Sequence, residues 1–248
     1  MNAFLLIGLL ALSAGVTAPQ PIPAGTIIAA RLNNSLSSSK CRPGQQITAR
    51  VMQAVPLPDG GVIRAGSKLV GHVIRVSDSS ATRGSDIAFQ FDSLKTSRSS
   101  ISLTVSLRAL ASFMEADDAQ VPAMGADRGT MPAAYTTVQV GGDVVYRGGG
   151  PVMNGSEVVG EPVPGGVLVH LRPNPEAGCR GSLDGNDRPQ ALWVFSSDAC
   201  GAYGLPRLTI TRTGREAPAG EIVLTAPAGE LNVHSGTAML LRVIRQGS

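Results

Sequence analysis

Residues Asp86–Leu110 read DIAFQFDSLKTSRSSISLTVSLRAL, and the fold turns on how this stretch is read. In the first run Ile87, Phe89 and Phe91 fall on one side, with Ala88, Gln90 and Asp92 on the other. In the second, Ile101, Leu103, Val105 and Leu107 alternate with Ser102, Thr104, Ser106 and Arg108. A side-chain period of two belongs to strands with one buried face, and the polar KTSRSS between the runs reads as a hairpin turn. One helix competes with this pattern. Leu107, Leu110, Ala111 and Met114 stand at i, i+3, i+4 and i+7, which predicts a single short amphipathic helix near 107–117 with an acidic end.

The same β signature extends outward in both directions. TIIAARL (26–32), ITARVMQAV (47–55) and VIRAGSKLVGHVIRV (62–76) precede it; VLVHLRP, RLTITRT, EIVLT, ELNVHS and AMLLRVIR follow. With 30 Gly and 17 Pro the chain has turns in plenty, and with aromatics at only 4% its core must come from Val, Ile, Leu and Ala. A small motif recurs without fixed spacing: IPAGTIIAARL, IRAGSKLVGHVI, VPGGVLVHL, APAGEIVLT and APAGELNVH each run a Pro/Ala-Gly turn straight into a strand. The fold class expected is all-β: a partly open β-barrel followed by a disulfide-stapled β region. The organisation expected is a β-barrel-like domain over 22–118, a Gly/Pro-rich excursion or linker over 119–166, and a C-terminal β region over 167–248.

The uncharged apolar run from Ala3 to Ala18 is shorter than the roughly 20 residues of a bilayer span. It predicts a signal peptide over 1–18, with a retained N-terminal anchor as the alternative. Export sets the reading of the cysteines, because they pair in oxidising compartments. Cys179 and Cys200 bracket a turn-rich loop and a β-type run, and a disulfide between them is expected; Cys41 is the odd thiol. A bond closing a loop of this size stabilises by roughly 3 kcal/mol on the chain-entropy account.

Several function classes lack their signatures. The formal charge of +3 is scattered, with no basic block and no interleaved aromatics, so no nucleic-acid partner is expected. That mild charge allows peripheral contact with an anionic membrane surface. Phosphate-loop, dinucleotide, nucleophile-elbow and HExxH patterns are missing from the sequence. The three histidines, His72, His170 and His234, lie on distant strands, and no metal or cofactor is expected. Glu115, Asp117 and Asp118 read as a solvated helix end, and Asp184–Asp187 (DGND) reads as a turn lacking the ligand pattern of a calcium loop. Trp193, Asp184 and Asp187, around the Cys179–Cys200 loop, remain as a candidate ligand or partner surface.

The stretch IPAGTIIAARLNNSLSSSKCRPGQQITARVMQAVPLPDGGVIRAGSKLVGHVIRV resembles the C-terminal β-barrel domain of TrbI-type conjugation and secretion proteins, with Ile22–Thr26 and Ile63–Gly71 carrying the match. The resemblance implies a barrel in the cell envelope that packs against copies of itself or other envelope components. GNDRPQALWVFSSDACG, in the second half, resembles exported bacterial proteins of unassigned function. The function expected is a structural or protein-interaction role in the envelope, without catalysis and with self-association among the partner possibilities. The rival expectation is a secreted carbohydrate-binding module or hydrolase using the 179–200 loop.

Overall fold

A computed structural model describes residues 22–77, 84–97, 99–120, 136–146, 149–164, 166–179 and 188–245. The expected signal peptide and the carboxylates Asp184 and Asp187 lie outside the described residues. In chain order the first half contains β1 (Ile27–Leu32), β2 (Leu36–Ser37), β3 (Gln46–Val51), β4 (Val55–Pro56), β5 (Val62–Ile63), β6 (Lys68–Ser77), β7 (Ser85–Lys95), β8 (Ser100–Ser102), β9 (Thr104–Ala111) and the helix α1 (Phe113–Asp118). The second half contains β10 (Thr136–Val138), β11 (Val144–Tyr146), β12 (Val152–Asn154), β13 (Glu157–Val163), β14 (Gly166–Val169), β15 (Gln190–Leu192), β16 (Gly201–Tyr203), β17 (Thr209–Arg212), β18 (Ile222–Ala226), β19 (Asn232–Val233) and β20 (Ala238–Arg245). The protein is nearly all β.

Ten strands form one sheet in the order β16-β9-β20-β1-β3-β6-β7-β18-β17, with β8 also paired to β7. This sheet is a nearly closed barrel. At one end β7 turns through the expected hairpin into β8, where Ser93 pairs with Ser102, and the chain runs on into β9. At the other end β7 and β9 diverge, and the β17–β18 hairpin wedges between them: Ile222 pairs with Phe89, and Leu107 N–H donates to the Thr213 carbonyl at 2.8 Å. Leu69, Val73, Ile87, Phe89, Leu103, Val105, Leu107, Leu224 and Leu241 fill the interior.

The recurrent Pro/Ala-Gly motif has a physical role. Gly25, Gly66, Gly220 and Gly229 all take a left-handed backbone, with φ of 84°, 82°, 92° and 76°, a region that favours a residue without Cβ. Strands β1, β6, β18 and β19 start within three residues of them. The turn also docks on the sheet, since Gly25 N–H donates to the Val243 carbonyl and Gly66 N–H to that of Val51.

Two expectations change in detail. The helix covers Phe113–Asp118 only, capped by the Ser112 side chain accepting from Glu115 N–H, while Leu107–Ala111 belong to β9. The apolar spacing that mimicked a helix comes from a β-bulge. Leu241 pairs with Leu107 and Leu240 with Ala109, so Arg108 is the extra residue. The bulge puts Arg108 and Ala109 on the outer face in succession and resets the alternation, leaving Leu107 and Leu110 both facing the interior. Met114, expected on the buried face, is exposed.

The second change concerns organisation. The barrel strands come from both halves of the chain, with β16, β17, β18 and β20 joining β1, β3 and β6–β9 in one sheet. The segment expected as an excursion or linker supplies β10–β13, which with β14 and β15 form a six-stranded antiparallel sheet in sequence order. That sheet covers the outside of the barrel. Val145, Val152, Val167, Val169, Leu192, Val194 and Phe195 pack on Ile27 and Ala29 of β1, Ala109 and Ala111 of β9, and Ala238 and Leu240 of β20. Small residues on the barrel strands let the two layers approach closely.

Candidate functional site

Two surface features stand out, one apolar and one cationic. On the outer face of the six-stranded sheet the register aligns Val138, Val144, Met153 and Val158 in one cross-strand row, with Thr136 and Tyr146 paired beside it. The alternation that buries Val145 and Val152 against the barrel turns this row to solvent. Val138 is 50% exposed, Tyr146 39% and Val158 58%. Val144 and Met153, between them, are half-buried, so the row is an apolar stripe exposed most at its two ends.

The turn behind this row is held by a buried carboxylate. Asp143 Oδ1 accepts from Asn154 Nδ2 at 2.6 Å, and Oδ2 accepts from Ser197 N–H at 2.6 Å. The β10–β11 turn is thereby tied to β12 and to the segment leading to Cys200.

The cationic feature is a cavity of about 500 Å³ at the barrel seam, between the sheet edges β16 and β17. Three arginines line it. Arg242 of β20 lies beside Ser106 of β9 on the outer face and is 3% exposed. Arg108 reaches the cavity because the bulge turns it outward. Its Nε donates to the Ala199 carbonyl at 2.9 Å, and its Nη2 to the Arg172 carbonyl at 2.7 Å. Arg215, in the exposed turn after β17, approaches from the opposite wall, with Glu216 beside it. Leu107, Leu208 and Ile210 supply apolar wall, and the Cys179–Cys200 disulfide closes one side. Burial, and then the charges of Arg242 and Arg215, pull the Arg108 pKa down to about 10, against the opposing charges of Asp198 and Tyr203. At neutral pH the guanidinium therefore stays charged in a crowded cationic setting.

The expected disulfide is present, joining residues 21 apart in sequence. It points to an oxidising, exported compartment. Cys41 is a buried free thiol whose sulfur accepts from Ser37 N–H. Trp193, the described member of the expected surface, is partly buried against the second core and does not line the seam cavity. The cavity instead takes in both ends of the loop that Trp193 belongs to.

The arginine cluster escaped the sequence reading. Positions 108, 215 and 242 carry no local motif, and only the strand register brings them together. Elsewhere His72 Nδ1 lies 2.8 Å from Asp92 Oδ2 at the surface of the β6–β7 pair. Among the described residues no group of three or more His, Cys, Asp and Glu side chains is placed to hold a metal ion, and no helix is long and apolar enough to cross a membrane. No protein-family model matches the chain, and no curated protein matches it.

Proposed function

We propose that the protein is an exported, non-catalytic component of the cell envelope that works by protein contact, docking the outer face of its six-stranded sheet onto a second copy of the chain. The observation that carries this reading is the row Val138–Val144–Met153–Val158 with Tyr146 beside it, an apolar stripe on a face turned away from the protein's own core. Two copies of such a stripe are self-complementary about a two-fold axis, the commonest symmetry of soluble assemblies. β10 is the outermost strand of that sheet among the described residues, so edge pairing between copies can extend the contact. The disulfide supports export, and the resemblance of Ile22–Thr26 and Ile63–Gly71 to TrbI-type barrels supports an envelope setting with packing between copies.

The test is the native mass of the protein taken from the envelope fraction in mild detergent, for wild type and for Val138→Lys/Val158→Lys. Wild type should run above the 25.5 kDa of one chain, and the double variant should run as a monomer with an unchanged melting temperature. Wild type running as a monomer would overturn the reading. An assembly whose added mass is a different protein would transfer the same face to that partner.

A further inference from the structure

We infer that a cationic row on the outer face of the barrel is a docking site for a linear acidic polysaccharide, one that carries a carboxylate on successive sugars. The strand register builds the row. Arg31 of β1 pairs with Arg50 of β3, Arg50 with Lys68 of β6, and Lys68 with Lys95 of β7. Residues directly opposite on antiparallel strands share a face of the sheet. Their chain neighbours Ala49, Leu69 and Leu94 are buried in the interior, so the four cations point outward.

The same strands balance their other charges and leave these unbalanced. Asp92 of β7 is taken up by His72 and Gln90, and Arg75 of β6 has both Asp86 and Glu221. Arg50, Lys68 and Lys95 are exposed, and among the described residues none of their side chains has an ion pair or a hydrogen bond. Arg31 is half-buried, with its guanidinium carbon 5.7 Å from the centre of the Phe113 ring, and has no carboxylate partner among the described residues. Like charges set directly opposite on a sheet are destabilising. Water and salt reduce that repulsion without removing it. A chain of carboxylates laid across the strands turns it into attraction, since guanidinium forks and ammonium groups both suit carboxylate oxygens.

Spacing and surroundings select the partner. Opposed positions on neighbouring strands lie about 5 Å apart, close to the length of one sugar in an extended chain and well beyond one link of a polyphosphate. Lys68 and Lys95, with Arg64 from the turn before β6, line a cleft of about 660 Å³ that no carboxylate among the described residues lines. Ser67, Ser97 and Ser99 offer hydroxyls there for sugar oxygens. Val62, 54% exposed at the same cleft, offers apolar contact for the C–H face of a ring. The row also crosses four neighbouring strands of a barrel, so its two ends face different directions. A flexible chain follows that curve, whereas a flat lipid surface meets only part of it.

The experiment is calorimetric titration of the purified, oxidised full chain with polygalacturonate, which has one carboxylate per sugar. Dextran serves as the uncharged polymer, and polyphosphate and phosphatidylglycerol vesicles as the rival anions. Polygalacturonate should bind, should weaken as salt is added, and should exceed the other three at matched concentration of charge or sugar. Lys68→Gln/Lys95→Gln should weaken binding at least tenfold with the melting temperature unchanged or raised, because it removes a directly opposed pair of like charges. Lys40→Gln/Arg207→Gln takes the same charge from two exposed positions off the row and should leave binding as it was. Failure of polygalacturonate to bind, equal or tighter binding of polyphosphate or vesicles, or an equal loss in both double variants would each overturn the proposal. None of these variants touches the Val138–Val158 row, so the result is independent of the assembly experiment.

Discussion

Gly71 of β6 stands opposite Phe91 of β7, next to the register shift between Val70 and Gly71. A Cβ added there would lie 1.9 Å from the Gln90 carbonyl oxygen, which is backbone and cannot rotate away. Gly71→Ala should therefore destabilise the barrel by about 1–3 kcal/mol, the range for forced overpacking, read as a lower denaturant midpoint. An unchanged midpoint would mean that the two strands part freely. Such glycines were partly legible beforehand. The Pro/Ala-Gly repeats announced their turns because only a few residue types tolerate that backbone, and four of them do adopt it. Gly71 announced nothing, since close approach between strands depends on a bulge that local sequence does not encode. The seam arginines were hidden for a related reason: charge scattered along a chain reads as solvated until pairing register collects it.

Among the elements, β9 is the instructive case. Its alternation through Val105 and Leu107 was plain, but the bulge at Arg108 converted a two-residue period into a three-residue step and so counterfeited one turn of helix. Periodicity alone cannot separate the two when the apolar run is short. The real helix starts at the Ser112 cap, a residue type whose hydroxyl satisfies a free N–H of the first turn. The six-stranded sheet was hardest to foresee, because its strands are three to seven residues long and interrupted by glycines. Its coherence depends on contacts such as those of Asp143, buried and accepting from Asn154 and Ser197. Asp143→Ala removes the shared acceptor and leaves both donors to find new partners. We expect a loss of about 3 kcal/mol in urea unfolding, in keeping with two hydrogen bonds to a charged group. A loss below about 0.5 kcal/mol, the scatter of ordinary surface substitutions, would show that the turn holds without it.

For the whole molecule, the all-β class and the disulfide were readable, whereas the division of the chain was not. Composition marked 119–166 as different, yet nothing local tells that β18 will sit beside β7 or that β20 will lie between β9 and β1. Replacing both Cys179 and Cys200 by Ser should lower stability by roughly 3 kcal/mol on the chain-entropy account, and the same change should loosen the Ala199 carbonyl that Arg108 grips. Thermal unfolding of the oxidised and double-variant proteins checks this, with coincident curves as the contrary result. The insertion of β20 has a consequence for how the chain is made. Ile27 pairs with Arg242, so the first barrel strand waits on that side for β20 to emerge. Until then β1 and β9 have open flanks, and the ring has no way to shut. A polypeptide arranged like this keeps its barrel open while β2–β19 are made, and closes it only when β20 follows.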